Sequence, residues 1–600
     1  MKMGETRTTM QKTKLATAVS AALSIMASQA SAQQAGGELE EVVVTGIRGS
    51  LLAAMDVKRE SSGVVDAISA EDIGKFPDTN LAESLQRVTG VSINRVEGEG
   101  SEVTIRGFSG DFNIVTLNGR QMPAADARGV FFGINANIRT GDSRSFDFSN
   151  LASEGVSGLQ VYKSGRAGVP SGGLGGTINI ETIQPLESGN QFSIGAKALS
   201  DSGGGTTPEI SGLGSWTNDA GTFGVSAFGS VQEREYSNRT AITGGSGGLQ
   251  WRFPFAHDGP YQDATVINPP DPDQLTGFPN SATYTYAEGT RERTNAMVTL
   301  QWAPSDRMTI TADGMIARND QSSWNIGDLP FWVRQFDFVV FDDDPAVSIP
   351  DWLSEPLAAG AGSDFSQAGK ELPFRNGLFE LRDELSTFGL NLDYQINDSL
   401  TLNVDVSNGR TAAGGNHPTG SIYEAVSLGG QAVAAHIVDY RTEIPNVIQT
   451  IADGSGPTTA MVGGREVTFP GGNANGIFEK SDLGAQWILQ QFAEQETTID
   501  QAQVRLELDN GGPVRANFGA GFVDHEMHRV IENYRDAIGD WNTFYIGDVV
   551  TLMGEDAIET VCISCQFDDH DNLILSADEL VSDFTAAGGT VAPGASLRLV

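Results

Sequence analysis

From about position 190 onward, apolar and polar residues alternate one by one. Phe388, Leu390, Leu392 and Tyr394 are apolar, while Thr387, Gly389, Asn391 and Asp393 are small or polar. After an Asn397-Asp398 turn the alternation resumes, with Leu400, Leu402, Val404 and Val406 set against Thr401, Asn403 and Asp405. The same register runs through Phe223, Val225, Ala227 and Val231, through Ala296, Val298, Leu300 and Trp302, and through Met308, Ile310 and Ala312. It returns in Ala502, Val504, Leu506 and Leu508 and in Val514, Ala516, Phe518, Ala520 and Phe522. Side chains of a strand point to opposite faces in turn, so each run predicts a strand of about ten residues with one oily and one wet face.

The connections between these runs alternate in length. Asn218 to Gly221, Ala303 to Asp306, Ile396 to Ser399 and Asn510 to Pro513 are short, whereas 237–293, 319–384 and 411–496 are long. A soluble sandwich shares the alternation but has no reason to place a long loop at every second connection. A transmembrane β-barrel has both features, because closure satisfies every backbone group in lipid and only one end of the barrel carries long loops.

The chain ahead of these strands reads differently. Residues 61–186 predict a compact α/β domain. Ser69-Ala70-Glu71-Asp72 has the form of a helix start, and Asp78 to Arg87 leads into Leu81, Leu85 and Val88 at helical spacing. Short strands are expected at Gly90 to Asn94, Glu102 to Arg106, Ile114 to Leu117 (closed by Asn118-Gly119), Leu159 to Lys163 and Thr177 to Thr182, with a glycine-rich stretch from Gly165 to Gly176. Earlier still, residues 33–60 form a lead in which Glu41-Val42-Val43-Val44-Thr45-Gly46 is a short β-branched run. Residues 1–32 have Lys2, Arg7, Lys12 and Lys14 ahead of an apolar run and end at Ala30-Ser31-Ala32, the pattern of a cleaved secretory signal.

Composition narrows the function classes. The net charge is −39, and loss of the signal, with four positive charges and one negative, takes it to −42. Nucleic acid is therefore not an expected partner. With 72 Gly and a mean hydropathy of −0.19, neither a helical membrane protein nor a disordered chain is indicated. The two cysteines, Cys562 and Cys565, are half of a zinc site at most and read as a local disulfide in an exported loop. His525 and His528 near a strand end, and Asp568 to Asn572, read as surface features. No catalytic constellation, metal site or cofactor is expected, and the chain is not read as an enzyme.

Taken in order, signal, valine strand, small α/β domain and alternating strands resemble the TonB-dependent receptors of Gram-negative outer membranes. Glu41, Val42, Val43, Val44, Thr45 and Gly46 look like the TonB box. Thr104-Ile105-Arg106-Gly107-Phe108, Val115 to Gly119, Leu159 to Gly165 and Gly172 to Ile180 look like the strands and turns of the plug. Phe76 to Arg87 is similar to the wording of a subgroup found in Caulobacter- and Xanthomonas-like bacteria, many of whose members are linked to saccharide uptake.

The resemblance implies an α+β plug (61–186) followed by an antiparallel transmembrane β-barrel of about 22 strands. About nine are present from 187 to 600, and the usual C-terminal aromatic is absent at Leu599-Val600, so the chain is expected to be a fragment of a longer one. It further implies TonB-dependent import of a nutrient across the outer membrane by a monomer that contacts outer-membrane lipid and TonB. An oligosaccharide is the expected cargo, with an iron chelate or corrinoid as the alternative. Candidate cargo contacts are Arg106, Asp111, Asn113 and Arg120 on the plug and Trp251, Trp324 and Trp332 in the long loops, where aromatic faces suit sugar rings. The same aromatics could serve a membrane-interface belt, and the plug residues could serve ion pairs with the wall.

Overall fold

The computed structural model describes residues from Met55 to Leu599 apart from internal segments, the longest of which are 70–77, 128–143, 254–260, 329–335, 357–373, 452–457, 470–478, 538–549 and 563–576. The expected signal (1–32), the 41–46 box, Trp332, Cys565 and Asp568 to Asn572 lie outside the described residues.

The front domain contains strands β1 (Val65–Ser69), β2 (Val91–Val96), β3 (Glu99–Ile105), β4 (Asn113–Leu117), β5 (Arg120–Gln121), β6 (Val156–Tyr162) and β7 (Gly176–Thr182), and helices α1 (Leu81–Leu85) and α2 (Pro185–Ser188). A mixed sheet in the order β1-β6-β7-β4-β5 is joined by a separate β2–β3 hairpin. Within that sheet, among the described residues, only β4 and β7 pair in parallel. The helical spacing read around Leu81 is realised in α1: Leu81 and Leu85 are buried, and Val88 follows just past its end. They pack with Ile105, Leu159, Val161, Ile178 and Ile180 in one core. Asn80 caps α1 through its side chain, which accepts from the backbone N–H of Ala82 and Glu83. Ser69 closes strand β1 opposite Gly158 of β6, and the residues 70–72 of the expected helix start lie outside the described residues.

The wall follows as β8 (Gln191–Ser200), β9 (Thr206–Thr217) and β10 (Phe223–Thr243). After a hairpin of β11 (Leu249–Arg252) with β13 (Thr276–Pro279), interrupted by β12 (Thr265–Ile267), it continues as β14 (Ala282–Ser305) and β15 (Met308–Asp328). Beyond β16 (Phe338–Phe341) and β17 (Pro350–Pro356) come β18 (Phe374–Asn397), β19 (Leu400–Gly415) and β20 (Tyr423–Gly429). Then β21 (Val433–Asp439), β22 (Asn446–Ile451) and a β23 (Thr458–Val462)–β24 (Arg465–Phe469) hairpin precede β25 (Gly484–Asp509) and β26 (Arg515–Ala537). Ten strands share the antiparallel wall sheet. Because β19 and β20 both lie between β18 and β25, one above the other, they occupy nine tracks, in line with the roughly nine strands expected.

The alternation has a direct three-dimensional reading. Register connects Trp216, Val225, Leu300, Ala312, Leu390, Val406, Ala502 and Phe522 into one row across eight strands, and every member is apolar. Phe192, Phe388 and Phe518 on the same outer face are 77%, 59% and 65% exposed. One residue further along, the inner row reads Ser215, Ser226, Thr299, Asp313, Gly389, Ser407 and Gln501. An apolar exterior around a polar interior is the inverse of a soluble protein and suits hydrocarbon as the surrounding solvent. No described helix is long and apolar enough to cross a membrane, which says nothing of strands.

Strand length departs from expectation. The first two wall strands have 10 and 12 residues, but β14 and β18 have 24 and β25 has 26. Past the apolar belt the outward positions become charged, as with Glu233, Glu235, Glu288, Glu292, Glu380 and Glu384. The two-residue period of polarity ends there, although the backbone ladder continues. The long connections are correspondingly shorter, and parts of them fold: β12, β16, β17, β21, β22 and β27 (Ser596–Leu599) make a six-stranded sheet. Helix α3 (Ala577–Ala586) covers one face of it through Leu580 and Phe584 on Phe338 and Trp352. The other face packs through Val339, Leu353, Val438 and Val447 on Tyr284 of the wall.

Candidate functional site

The front domain is seated in the wall by buried charges placed on two tight hairpins. The first is the β2–β3 turn, where Glu97 and Gly98 both take positive φ (54° and 77°), the geometry that reverses a two-residue hairpin. This turn carries Glu97 and Glu99, two positions apart, and both reach the same wall arginine. On the wall, Arg291 and Arg293 are likewise two apart on the inner face of β14, and Arg234 of β10 is directly opposite Arg291. Glu99 accepts from Arg291 Nη1 at 2.7 Å and from Arg293 Nη1 at 3.0 Å, while Arg291 Nη2 reaches Glu97 at 3.0 Å. Arg234 lies 3.6 Å from Glu99. Asn80, the α1 cap, donates to the other side of the same carboxylate at 2.9 Å. Arg293 also donates to the carbonyls of Ser149 and Thr79, so three separate segments of the front domain are held from one wall position.

Glu99, Arg291 and Arg293 have side chains 1% exposed. Burial alone would raise the Glu99 carboxyl, but Arg293, Arg291 and Arg234 more than reverse this and hold it below the usual carboxylate value. Gly98 is required here twice over: its φ is positive, and a Cβ would stand 2.9 Å from Arg234 Nη2.

The second hairpin joins β4 to β5 through Asn118 and Gly119, also at positive φ. It delivers Arg120 to two wall carboxylates: Nε and Nη2 to Asp405 of β19 at 2.9 and 2.8 Å, and Nη1 to Asp313 of β15 at 2.6 Å. Gly389 of β18 leaves the space, since its Cβ would lie 1.7 Å from Arg120 Nη1. Neutral amides complete the seat. Gln501 accepts from Gln121 N and donates to Gln121 O, as a neighbouring strand would, and Asn295 does the same with Ala152 N and Asn150 O.

The expected cargo residues do not form one site. Arg120, expected to touch cargo, is 8% exposed and taken up by Asp313 and Asp405. This is the wall ion pair that was its alternative reading. Arg106, in the left-handed region at φ 53°, donates to the carbonyl of Gly175 and pins the glycine-rich segment. Asp111 and Asn113 do meet, lining a cavity of about 70 Å³ with Arg144, Phe146, His525 and Met527. Trp251 on β11 is 53% exposed, with Phe253 beside it at 48%. Trp324 lies on the outward face of β15, in register with Glu288 and Leu378 and hydrogen-bonded to Asn376, so it does not look into the lumen. Inward positions on that strand are the odd ones, Gln321, Ser323 and Asn325. Cys562 is disulfide-bonded; the chain's other cysteine is Cys565. Among the described residues no group of side chains could hold a metal ion.

Sequence reasoning missed Glu97, Glu99, Arg234, Arg291 and Arg293. The available signal was an Arg-x-Arg pair, Arg291 and Arg293, at inward positions of β14, together with the Glu97-Gly98-Glu99 turn between two short strands.

Residues 57–177 match the family model described as the TonB-dependent Receptor Plug Domain. No curated protein sequence matches the chain. Among solved structures, the chain is similar to the siderophore receptor PirA from Acinetobacter baumannii at 12% identity, over 80% of this chain and 92% of that one, with a TM-score of 0.26. It is similar to the ferric citrate transporter FecA at 12% identity (81% and 80% covered, TM-score 0.26) and to the copper transporter OprC at 10% identity (78% and 81%, TM-score 0.26). At these values no residue role or cargo transfers from those proteins. The plug match supports a place for this chain among the TonB-dependent receptors.

Proposed function

We propose that this chain is a TonB-dependent receptor of a Gram-negative outer membrane that imports a neutral oligosaccharide past a seated plug. The observation that carries the reading is the buried Glu99–Arg291–Arg293 seat, which fixes a plug-family domain inside a strand wall whose exterior is apolar. A domain held by paired charges at 1% exposure does not leave by thermal fluctuation alone, because separating one partner strands a buried charge.

Work is therefore needed, and an outer membrane has neither ATP nor a sustained ion gradient. The segment Glu41 to Gly46 fits the point at which a periplasm-spanning partner takes hold. A β-branched, extended run can add to a partner's sheet edge through main-chain hydrogen bonds alone. The net charge of −39 disfavours anionic iron chelates, and the exposed Trp251 and Phe253 offer ring faces to a sugar.

The test is uptake by a strain lacking the complete gene, with labelled oligosaccharides as limiting carbon and an iron-restricted control. Loss of uptake of one saccharide supports the reading. A defect confined to iron limitation replaces the cargo with an iron chelate and keeps the importer.

A further inference from the structure

Between the plug and the wall, toward the short-turn end, lies a cavity of about 450 Å³. Its plug side comes from β4, β6 and β7 and its wall side from β18, β19, β25 and β26. Its size falls within the roughly 300 to 1,000 Å³ of small-molecule sites.

Arg120 and Asp405 of the second seat form one border of it, and the rest of its lining differs from that seat. The polar groups are mostly amides, among them Asn118, Gln160, Asn179, Asn391, Asn403 and Gln503. Two arginines are present, and both face carboxylates: Arg120 is bound to Asp313 and Asp405, and Arg505 lies 3.7 Å from Glu507. Glu181 and Glu187 add negative charge. Several of these amides are already bonded to plug or wall groups, as Asn118 is to Thr182, Gln160 to Glu181 and Asn391 to Asp405, so the cavity offers their remaining donors and acceptors together with Gln503, and both arginines that line it have carboxylate partners. An anionic chelate would meet repulsion there, whereas a hydroxyl, at once donor and acceptor, is matched by an amide.

We infer that this cavity is an exit-side subsite for neutral, polyhydroxylated cargo, entered after the cargo has left the outer loops. The inference rests on the importer reading and deepens it, since it names the chemistry of what passes. Gln503 is the group to change. It is half-buried, points inward between the outward Ala502 and Val504, and takes no part in either charged seat.

The experiment compares wild type, Gln503→Leu and Gln503→Asn in the complete receptor. It reads the saturated initial rate of uptake of the transported labelled oligosaccharide, and surface binding of the same sugar with uptake blocked by Val43→Pro. The expected result is an approximately fivefold lower saturated rate for Gln503→Leu, about one hydrogen bond's factor. Surface binding stays unchanged, and the shorter amide of Gln503→Asn restores much of the rate. A wild-type rate for Gln503→Leu overturns the subsite and leaves the importer standing. No uptake of any oligosaccharide by the wild type removes the cargo reading and the subsite with it.

Discussion

Arg234 and Arg291 face each other directly across the β10–β14 ladder, and Glu99 of the plug lies 3.6 Å from the first and 2.7 Å from the second. Two like charges at opposed positions of a sheet are unfavourable on their own. The wall at this point is therefore incomplete without the plug. The same carboxylate caps a second interaction, with the Asn80 that starts α1, so the seat links wall charge to the local structure of the plug.

Glu99→Gln keeps the shape and removes the charge. Arg291, Arg293 and Arg234 are then left under-compensated in a buried site, and plug seating should weaken by about 3 to 5 kcal/mol. Hydrogen exchange of the plug amides in purified receptor should show earlier opening around Ala82 to Ile105. Protection equal to wild type would mean that the seat is supported elsewhere.

The pH dependence of the same seat has a definite sign. The folded carboxyl lies below its ordinary value of 4.5, so the stabilisation is fully present above about 4.5 and is lost only as pH falls through the lower folded value. Plug protection should be flat from neutral pH down to about 4.5 and fall below it, and Glu99→Gln should abolish that fall. A loss of protection near pH 6 would point to a different group.

Gly389→Ala acts from the other side. The methyl group enters the space of the Arg120 guanidinium, which must leave Asp313 or Asp405. Because the damage runs through that contact, the effects of Gly389→Ala and Arg120→Gln on plug protection should be far from additive. Additive losses would place the strain of Gly389→Ala in the wall itself.

Gly98→Ala combines an unfavourable backbone conformation with a Cβ 2.9 Å from Arg234. It should destabilise the seat by about 1 to 3 kcal/mol, and Arg234→Lys in the same chain should relieve part of this. No relief would assign the whole effect to the backbone.

The wall was largely legible in the sequence because lipid outside and polar lumen inside impose a two-residue period. Leu300, Leu390 and Val406 announce the outer face as plainly as Thr299, Gly389 and Ser407 announce the inner one. Above the belt both faces meet water or protein, so the charged outer positions from Glu233 to Glu384 gave no sign that β10, β14 and β18 continue. The plug strands were legible through their glycine turns, but the partners of Arg120 were not. Asp313 and Asp405 are 193 and 285 residues away, and only the pairing of β15, β18 and β19 brings them together. Trp324, expected in a long loop, stands on the outward face of β15, because aromatic character marks an interface without showing whether a loop or a strand carries it.

The proposed import requires that the plug be moved by force applied through the Glu41 to Gly46 segment. The most direct measurement is uptake and surface binding of the transported labelled oligosaccharide by cells carrying Val43→Pro, which removes a main-chain donor from that segment. Uptake is expected to be abolished while binding remains at the wild-type level. Wild-type uptake by Val43→Pro would contradict it.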